Sequence, residues 1–349
     1  MRDTAVVTDL VGYLGRTGWQ DTGRTWRGGG IWSLAGTEVL VPVDSDVRDY
    51  PERVADLVRV VADVEERPAD DVLRSLRRPA DDQVTLEPGA ELTLDSGVQT
   101  LDGVRRLVRE SARTVSEGPH VRFRGRETGT VTELLASTAI GPVMSGKSGF
   151  SLFLPSDGDG ELRGREVTRQ LHDMLTTASR AVRSGRPAAL EDTVLLGVTV
   201  ECCRVLAHLG GSDDEGFEFG FRWAADGTGP VRGPARVGFP AGSGSVLRSA
   251  GRRIVRNALR GGASAAGLVD GLHDEPGSED RWRARVSGEV LPHAGEVRGR
   301  TIWLRFRGQE TYDRTVERYH HGLPIRVEGE LTSRDGRIEL MVDEDGWTT

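Results

Sequence analysis

Lysine is almost absent from this sequence. Lys147 is the only one, so of 46 Lys and Arg residues 46 minus 1, or 45, are arginines. Positive charge is also in the minority, because 54 Asp and Glu give a net charge of -8. A general polyanion binder neutralises phosphates with clustered cations, so any nucleic-acid role here requires a local patch. The arginine bias is typical of a GC-rich genome.

Cysteine and long apolar runs are equally scarce. Cys202 and Cys203 are neighbours and cannot build a disulfide framework, which favours a reducing compartment. The longest apolar stretch, 193–200, is far too short to cross a bilayer, and the first residues lack the apolar core of a secretory signal. We therefore expect a cytoplasmic protein that does not contact membranes.

A chain of 349 residues normally divides into two or three domains. We predict the α+β class, with a mixed helix and sheet N-terminal body followed by a small β-rich OB-like C-terminal domain. The body divides into an α+β subdomain over 1–95 and a central α+β domain over 96–262. The stretch 263–280 is acidic and glycine-rich and predicts an interdomain linker. Beyond it, alternating strands around a short helix predict an OB-like domain over 281–349.

Several local patterns in the body make specific predictions. Residues 30–34 and 38–43 predict a hairpin, whereas 78–97 is rich in turn residues. Residues 193–209 are apolar nearly all round and predict one buried helix. The aromatic residues of 217–223 alternate and share one strand face. That face predicts ordinary core or, alternatively, the packing surface of a scaffold subunit in a larger assembly.

One segment satisfies the P-loop pattern through Gly141, Gly146, Lys147 and Ser148. A P-loop requires a strand before the glycine-rich loop and a helix after it, so that backbone amides point at the phosphates. Here the pattern predicts a helix before the loop and a strand, 150–154, after it. A glycine-rich turn entering a strand competes with the alternative of a nucleotide-dependent enzyme.

Arginines recur at every fourth residue of a helix predicted over 246–260: Arg248, Arg252, Arg256 and Arg260. This spacing places them along one helical face, where they could hold a phosphate backbone or an acidic partner. A solvated face opposite the apolar positions explains the same pattern.

The C-terminal strands carry a second basic set: Arg283, Arg285, Trp303, Arg305 and Arg307. These residues lie opposite the apolar positions. Small OB-type barrels bind single strands with a cationic groove and aromatic platforms, so this face is a candidate nucleic-acid site. Glutamates occupy the same strands, and cross-strand pairing with arginine is the competing explanation.

No pattern predicts a catalytic or metal centre. His320 and His321 end a helix without further residues at metal-ligand spacing. Cys202 and Cys203 lie in an apolar helix, which predicts buried, inert thiols. We therefore predict no catalytic residue, no metal and no cofactor.

Three segments have a distinctive pattern: 13–19 (YLGRTGW), 39–43 (VLVPV) and 319–331 (YHHGLPIRVEGEL). In these segments the sequence resembles a group of uncharacterised actinobacterial proteins, and the resemblance runs along most of the chain. It implies no established activity. It does imply one further strand before the terminal helix, around Gln309.

Together these patterns predict a non-enzymatic binding or accessory protein. It would recognise a protein partner and, through the OB-like module and the arginine-rich helix, nucleic acid. A place in a phage-defence or mobile locus is a further hypothesis from the genome type.

Overall fold

The computed structural model shows an α+β protein built from three units. It describes residues 7–46, 48–65, 69–77, 81–141, 149–156, 162–190, 192–211, 213–224, 235–256, 261–278, 281–293, 299–334 and 336–348. None of the helices in these ranges combines the length and apolarity that crossing a bilayer requires.

The N-terminal unit is an antiparallel sheet with helices that share its hydrophobic core. Its elements are α1 (Val7–Arg16), β1 (Gln20–Trp26), β2 (Gly29–Leu34), β3 (Thr37–Pro42), α2 (Tyr50–Val64) and α3 (Ala69–Arg77). The predicted hairpin is confirmed by β2 and β3. Strand β1 was not predicted, because it is polar and exposed along nearly its whole length and has no buried face that alternates.

The central unit is a five-stranded antiparallel sheet in the order β5-β6-β4-β7-β8. Its strands are β4 (Asp81–Glu87), β5 (Ala139–Gly141), β6 (Phe150–Pro155), β7 (Phe217–Arg222) and β8 (Arg236–Phe239). Its helices are α4 (Leu94–Glu117), α5 (Gly129–Ser137), α6 (Gly164–Arg183), α7 (Val200–Leu209) and α8 (Ser243–Arg256), with 3-10 helices at Pro187–Leu190 and Asp192–Leu196.

The middle strand of this sheet, β4, lies in the stretch predicted to be turns. Its Asp82 is fully buried, and its carboxylate accepts hydrogen bonds from Arg165 Nε at 2.7 Å and from the Ala224 amide at 2.8 Å. Burying a carboxylate is tolerated only when it is paired, and the partner lies 83 residues away. The turn prediction over 78–97 was therefore wrong for 81–87 and for the start of α4, and among the described residues it holds only for 88–93. The domain boundary at residue 95 was wrong as well, because β4 belongs to the central sheet.

Two further predictions for the central unit need correction. The single helix expected over 193–209 is interrupted at Gly197, whose φ of 83° lies in the left-handed region. Helix α7 starts only after Thr199, whose hydroxyl accepts a hydrogen bond from the Cys202 amide at 3.1 Å. The alternating face of Phe217, Phe219 and Phe221 is buried inside the chain, so it is core and not a packing surface for an assembly.

The C-terminal unit is a closed five-stranded barrel in the order β10-β11-β13-β12-β9. Its elements are β9 (Gly261–Asp274), β10 (Trp282–Pro292), β11 (Gly299–Arg305), α9 (Gln309–His320), β12 (Ile325–Arg334) and β13 (Arg337–Thr348). β11 and β13 run parallel, and the other neighbouring pairs are antiparallel. The barrel core is continuous with that of the central unit.

Strand β9 shows that the linker predicted over 263–280 was wrong and that the barrel starts near residue 261. Its small inward residues Ala263 and Ala265 are fully buried. A Cβ added at Gly267 would collide with the Ser287 carbonyl of β10, so the close strand contact requires glycine. Because close packing between strands requires small residues, β9 has the composition that is typical of a linker. The fifth strand is β9, and Gln309 begins helix α9 instead of forming a strand.

Candidate functional site

The predicted nucleic-acid face of the barrel meets the end of helix α4. Arg285 Nη1 donates a hydrogen bond to the Ser116 carbonyl at 2.6 Å, and Trp303 Nε1 donates to the Glu117 carbonyl at 3.0 Å. The last carbonyls of a helix lack intrahelical partners and carry partial negative charge, so they suit a cationic donor. These two hydrogen bonds therefore attach the barrel to the central unit, and Trp303 faces the end of α4 instead of an open nucleic-acid groove.

The remaining barrel residues of the predicted site do not form one surface. Arg283 lies over Trp303, 6.0 Å from the ring centroid, whereas Arg307 is exposed beyond the end of β11. Arg305 Nη1 lies 4.0 Å from Oε2 of Glu339, a buried residue of the neighbouring strand β13. Cross-strand pairing of arginine with glutamate, the competing explanation for these arginines, is therefore observed at Arg305.

A ladder of cations and aromatic rings continues from Trp303 into the central unit. Arg337 of β13 lies 5.7 Å from the Trp303 ring centroid, and its Nε lies 3.4 Å from His120 Nε2. The His120 ring lies 4.3 Å from Phe123, whose ring is covered by the guanidinium of Arg113 at 4.6 Å. We call these five residues the junction ladder, because they connect the barrel to the loop that follows α4.

The ladder depends on a neutral histidine. Burial lowers the pKa of His120 from 6.5 to about 4, against the opposing effect of its hydrogen bond with the Gly118 carbonyl, and Arg337 lowers it further. Nδ1 lies 3.0 Å from that carbonyl and donates to it, which leaves Nε2 to accept from Arg337. A protonated imidazole would lose this acceptor and face a guanidinium.

The predicted arginine ridge on α8 is only partly described. Arg248 Nη2 lies 3.7 Å from Asp214 Oδ2, whereas Arg252 is exposed. Arg256 is the last residue of the helix, and Arg260 lies outside the described residues. The ridge therefore remains a prediction, and one of its members is compensated by a carboxylate.

The P-loop match lies largely outside the described residues. Gly141 ends strand β5, whereas Gly146, Lys147 and Ser148 belong to the undescribed segment 142–148. The strands on either side pair antiparallel, with Gly141 opposite Ser151. The segment thus joins two adjacent strands, while a P-loop leads from a strand into a helix.

A large cleft lies between the barrel and the central helices and has a volume of about 1260 Å³. The barrel contributes Asp270, Arg285, Ser287, Gly288 and Thr301. The facing wall from α5 and α6 includes Thr128, Thr130, Glu133, Glu166, Arg169, Gln170 and Asp173. We call this space the interdomain cleft.

Carboxylates outnumber guanidinium groups in the interdomain cleft. Four acidic residues line it, against Arg169 and Arg285. Arg285 is compensated, because its Nε lies 2.7 Å from Asp270 Oδ1. The described lining contains neither histidine nor cysteine. The cleft therefore offers acidic and hydroxyl groups that suit recognition of a cationic or polar ligand.

The two cysteines lie away from this cleft. Both are buried, as the apolar pattern predicts, and burial raises the pKa of the Cys203 thiol to about 12 and that of Cys202 further. Thiols of such high pKa are poor nucleophiles. In the described ranges, no group of three or more His, Cys, Asp or Glu side chains is arranged to hold a metal ion.

The acidic residues of the cleft wall were not among the predicted site residues. Glu166, Arg169 and Asp173 follow helical spacing on α6, opposite the apolar stripe, and this signal was available. Asp270 was hidden in the supposed linker. Comparison of the chain with protein-family models, curated proteins and solved structures returned no match.

Proposed function

We propose that this chain is a non-enzymatic binding protein of a reducing compartment that holds a positively charged segment of a protein partner in the interdomain cleft. The observation that carries the proposal is the excess of carboxylates in an open cleft of about 1260 Å³. A cleft of this size accommodates several side chains of an extended segment.

The position of the cleft on the barrel supports a binding role. Counted along the chain, the barrel strands follow the cyclic order first, second, third, fifth, fourth, with a helix between the third and fourth. We assign this arrangement to the OB type, in which ligands contact the face of the second and third strands. Here Arg285 and Ser287 of the second strand and Thr301 of the third line the cleft.

The charges favour a basic partner over a nucleic acid at this site. Glu133 and Glu166 are exposed at the cleft wall, where they would repel phosphates and attract arginine or lysine. Complementary charge raises the association rate and selects among partners. The partner segment is therefore expected to be rich in arginine or lysine and poor in acidic residues.

Titration of the full chain with labelled 12-residue peptides tests the proposal. We expect an arginine-rich peptide to bind, with affinity falling as salt rises, and a glutamate-rich peptide of equal length not to bind. Glu133→Gln with Glu166→Gln should weaken binding about tenfold, at about 0.7 kcal/mol for each exposed carboxylate.

Glu52→Gln with Glu310→Gln is the matched control, because both residues are exposed acids outside the cleft lining. The control variant should bind the arginine-rich peptide as the natural chain does. Absence of binding, or equal loss in both double variants, contradicts the proposal.

A further inference from the structure

A second charged surface follows the junction ladder along the chain. Arg122, Arg124 and Arg126 are all exposed, whereas Phe123 between them is half-buried against His120. The aromatic side chain thus anchors the loop while the three guanidinium groups face solvent. We call residues 122–126 the arginine segment.

The charges of the arginine segment are not compensated within the described chain. None of its three guanidinium groups has a carboxylate within ion-pair distance among the described residues. The nearest acids in sequence are engaged elsewhere: Glu117 lies 2.6 Å from Arg113, and Glu127 lies 3.8 Å from Arg109. The segment therefore forms a local positive patch on a chain with a net charge of -8.

The arginine segment lies beside the turn between the fourth and fifth barrel strands. The Val121 amide donates a hydrogen bond to the Gly336 carbonyl at 2.7 Å, and a Cβ at Gly336 would approach the Arg122 carbonyl. In OB-type barrels this turn is one of the loops that contact oligonucleotides. The patch thus sits where a single strand could follow the barrel edge.

We propose that the arginine segment binds the phosphate backbone of single-stranded nucleic acid. This site is separate from the interdomain cleft and does not rest on the function proposed for it. When uncompensated arginines neutralise phosphates, the counterions condensed on the nucleic acid are released, which favours binding of a polyanion. The large exposed apolar residues of the described chain lie outside this loop, so it lacks the apolar anchor of a membrane-binding surface.

Fluorescence anisotropy of the full chain with labelled dT20 and a 20-base-pair duplex tests the proposal. We expect dT20 to bind more tightly than the duplex, with a salt dependence that reflects about three phosphate contacts. Arg122→Gln, Arg124→Gln and Arg126→Gln together should weaken binding by at least about tenfold and flatten the salt dependence by about two units of log–log slope.

The matched control changes three exposed arginines that are ion-paired: Arg24→Gln, Arg59→Gln and Arg314→Gln. It removes the same charge and should retain dT20 binding. Circular dichroism of both triple variants checks that they fold. The proposal is overturned if dT20 does not bind or if the duplex binds as tightly as dT20. It is also overturned if both triple variants lose dT20 binding equally, or if the chain binds only anionic lipid vesicles. Loss confined to Arg248→Gln with Arg252→Gln would also overturn it.

Discussion

The arginines of the junction ladder and those of the arginine segment lie close together but differ in their partners. Arg113 and Arg337 contact aromatic rings and glutamates. Arg124 is exposed without such partners in the described chain. Pairing with nearby carboxylates and aromatic rings, and not the density of arginines, therefore separates the residues that hold the barrel from those available to a ligand.

Among the ladder residues, Trp303 should contribute most to stability. Trp303→Ala removes an aromatic ring that lies near the guanidinium groups of Arg283 and Arg337, together with its hydrogen bond to the Glu117 carbonyl. We expect the free energy of unfolding to fall by about 3 kcal/mol. Urea unfolding measures this value. Trp26→Ala changes a side chain that is more than half exposed and should lower the free energy of unfolding by less than about 1 kcal/mol. Equal losses in the two variants would show that Trp303 has no special role at the junction.

Acid should weaken the ladder through His120. Its pKa is about 4 in the folded protein and 6.5 when unperturbed, so the unfolded chain binds the proton first as pH falls. The stabilisation is complete above pH 6.5 and is lost progressively towards pH 4. When the pH is lowered from 7 to 4.5, protonation of His120 should reduce the free energy of unfolding by about 2 to 3 kcal/mol.

His120→Gln provides the comparison for that titration, because glutamine retains polar atoms without titrating. Urea unfolding of both proteins across the same pH range isolates the histidine from other groups. We expect a shallower loss of stability in the variant. If the free energy of unfolding depends on pH in the same way in both proteins, His120 is not the group through which acid weakens the junction ladder.

A smaller effect is expected at Arg285. Arg285→Gln removes a charged hydrogen bond to Ser116 and the ion pair with Asp270. We expect a loss of about 1.5 to 2 kcal/mol in unfolding free energy. Arg124→Gln, which changes an exposed side chain, should change it by less than about 0.5 kcal/mol. Thermal or urea unfolding compares the two variants. A larger loss of stability in Arg124→Gln than in Arg285→Gln would contradict the division between arginines that hold the barrel and arginines available to a ligand.

The sequence predicted elements whose own residues alternate, and failed where a distant partner determines the structure. The β2–β3 hairpin and the aromatic strand β7 follow from local patterns. Strand β4 does not, because the buried Asp82 has its partners, Arg165 and the Ala224 amide, far along the chain. Strand β9 resembled a linker because close strand contact selects Gly267 and small neighbours.

The candidate site was less predictable than the fold. Alternation correctly placed Arg285 and Trp303 opposite the barrel core, but it could not show that both side chains donate hydrogen bonds to the end of helix α4. The cleft combines Glu133 and Glu166 of the central unit with Asp270 of the barrel. Such convergence depends on tertiary packing. The resemblance to an actinobacterial group and the link to a defence locus remain predictions.

Hydrogen exchange of the full chain with and without the arginine-rich peptide shows which elements the peptide contacts. We predict slower exchange in α5, in the first half of α6 and in β10, which contribute to the interdomain cleft. Helix α8 should exchange at an unchanged rate. Protection confined to α8 or to the N-terminal unit, or no protection at saturating peptide, would contradict the assignment of the cleft as the partner site.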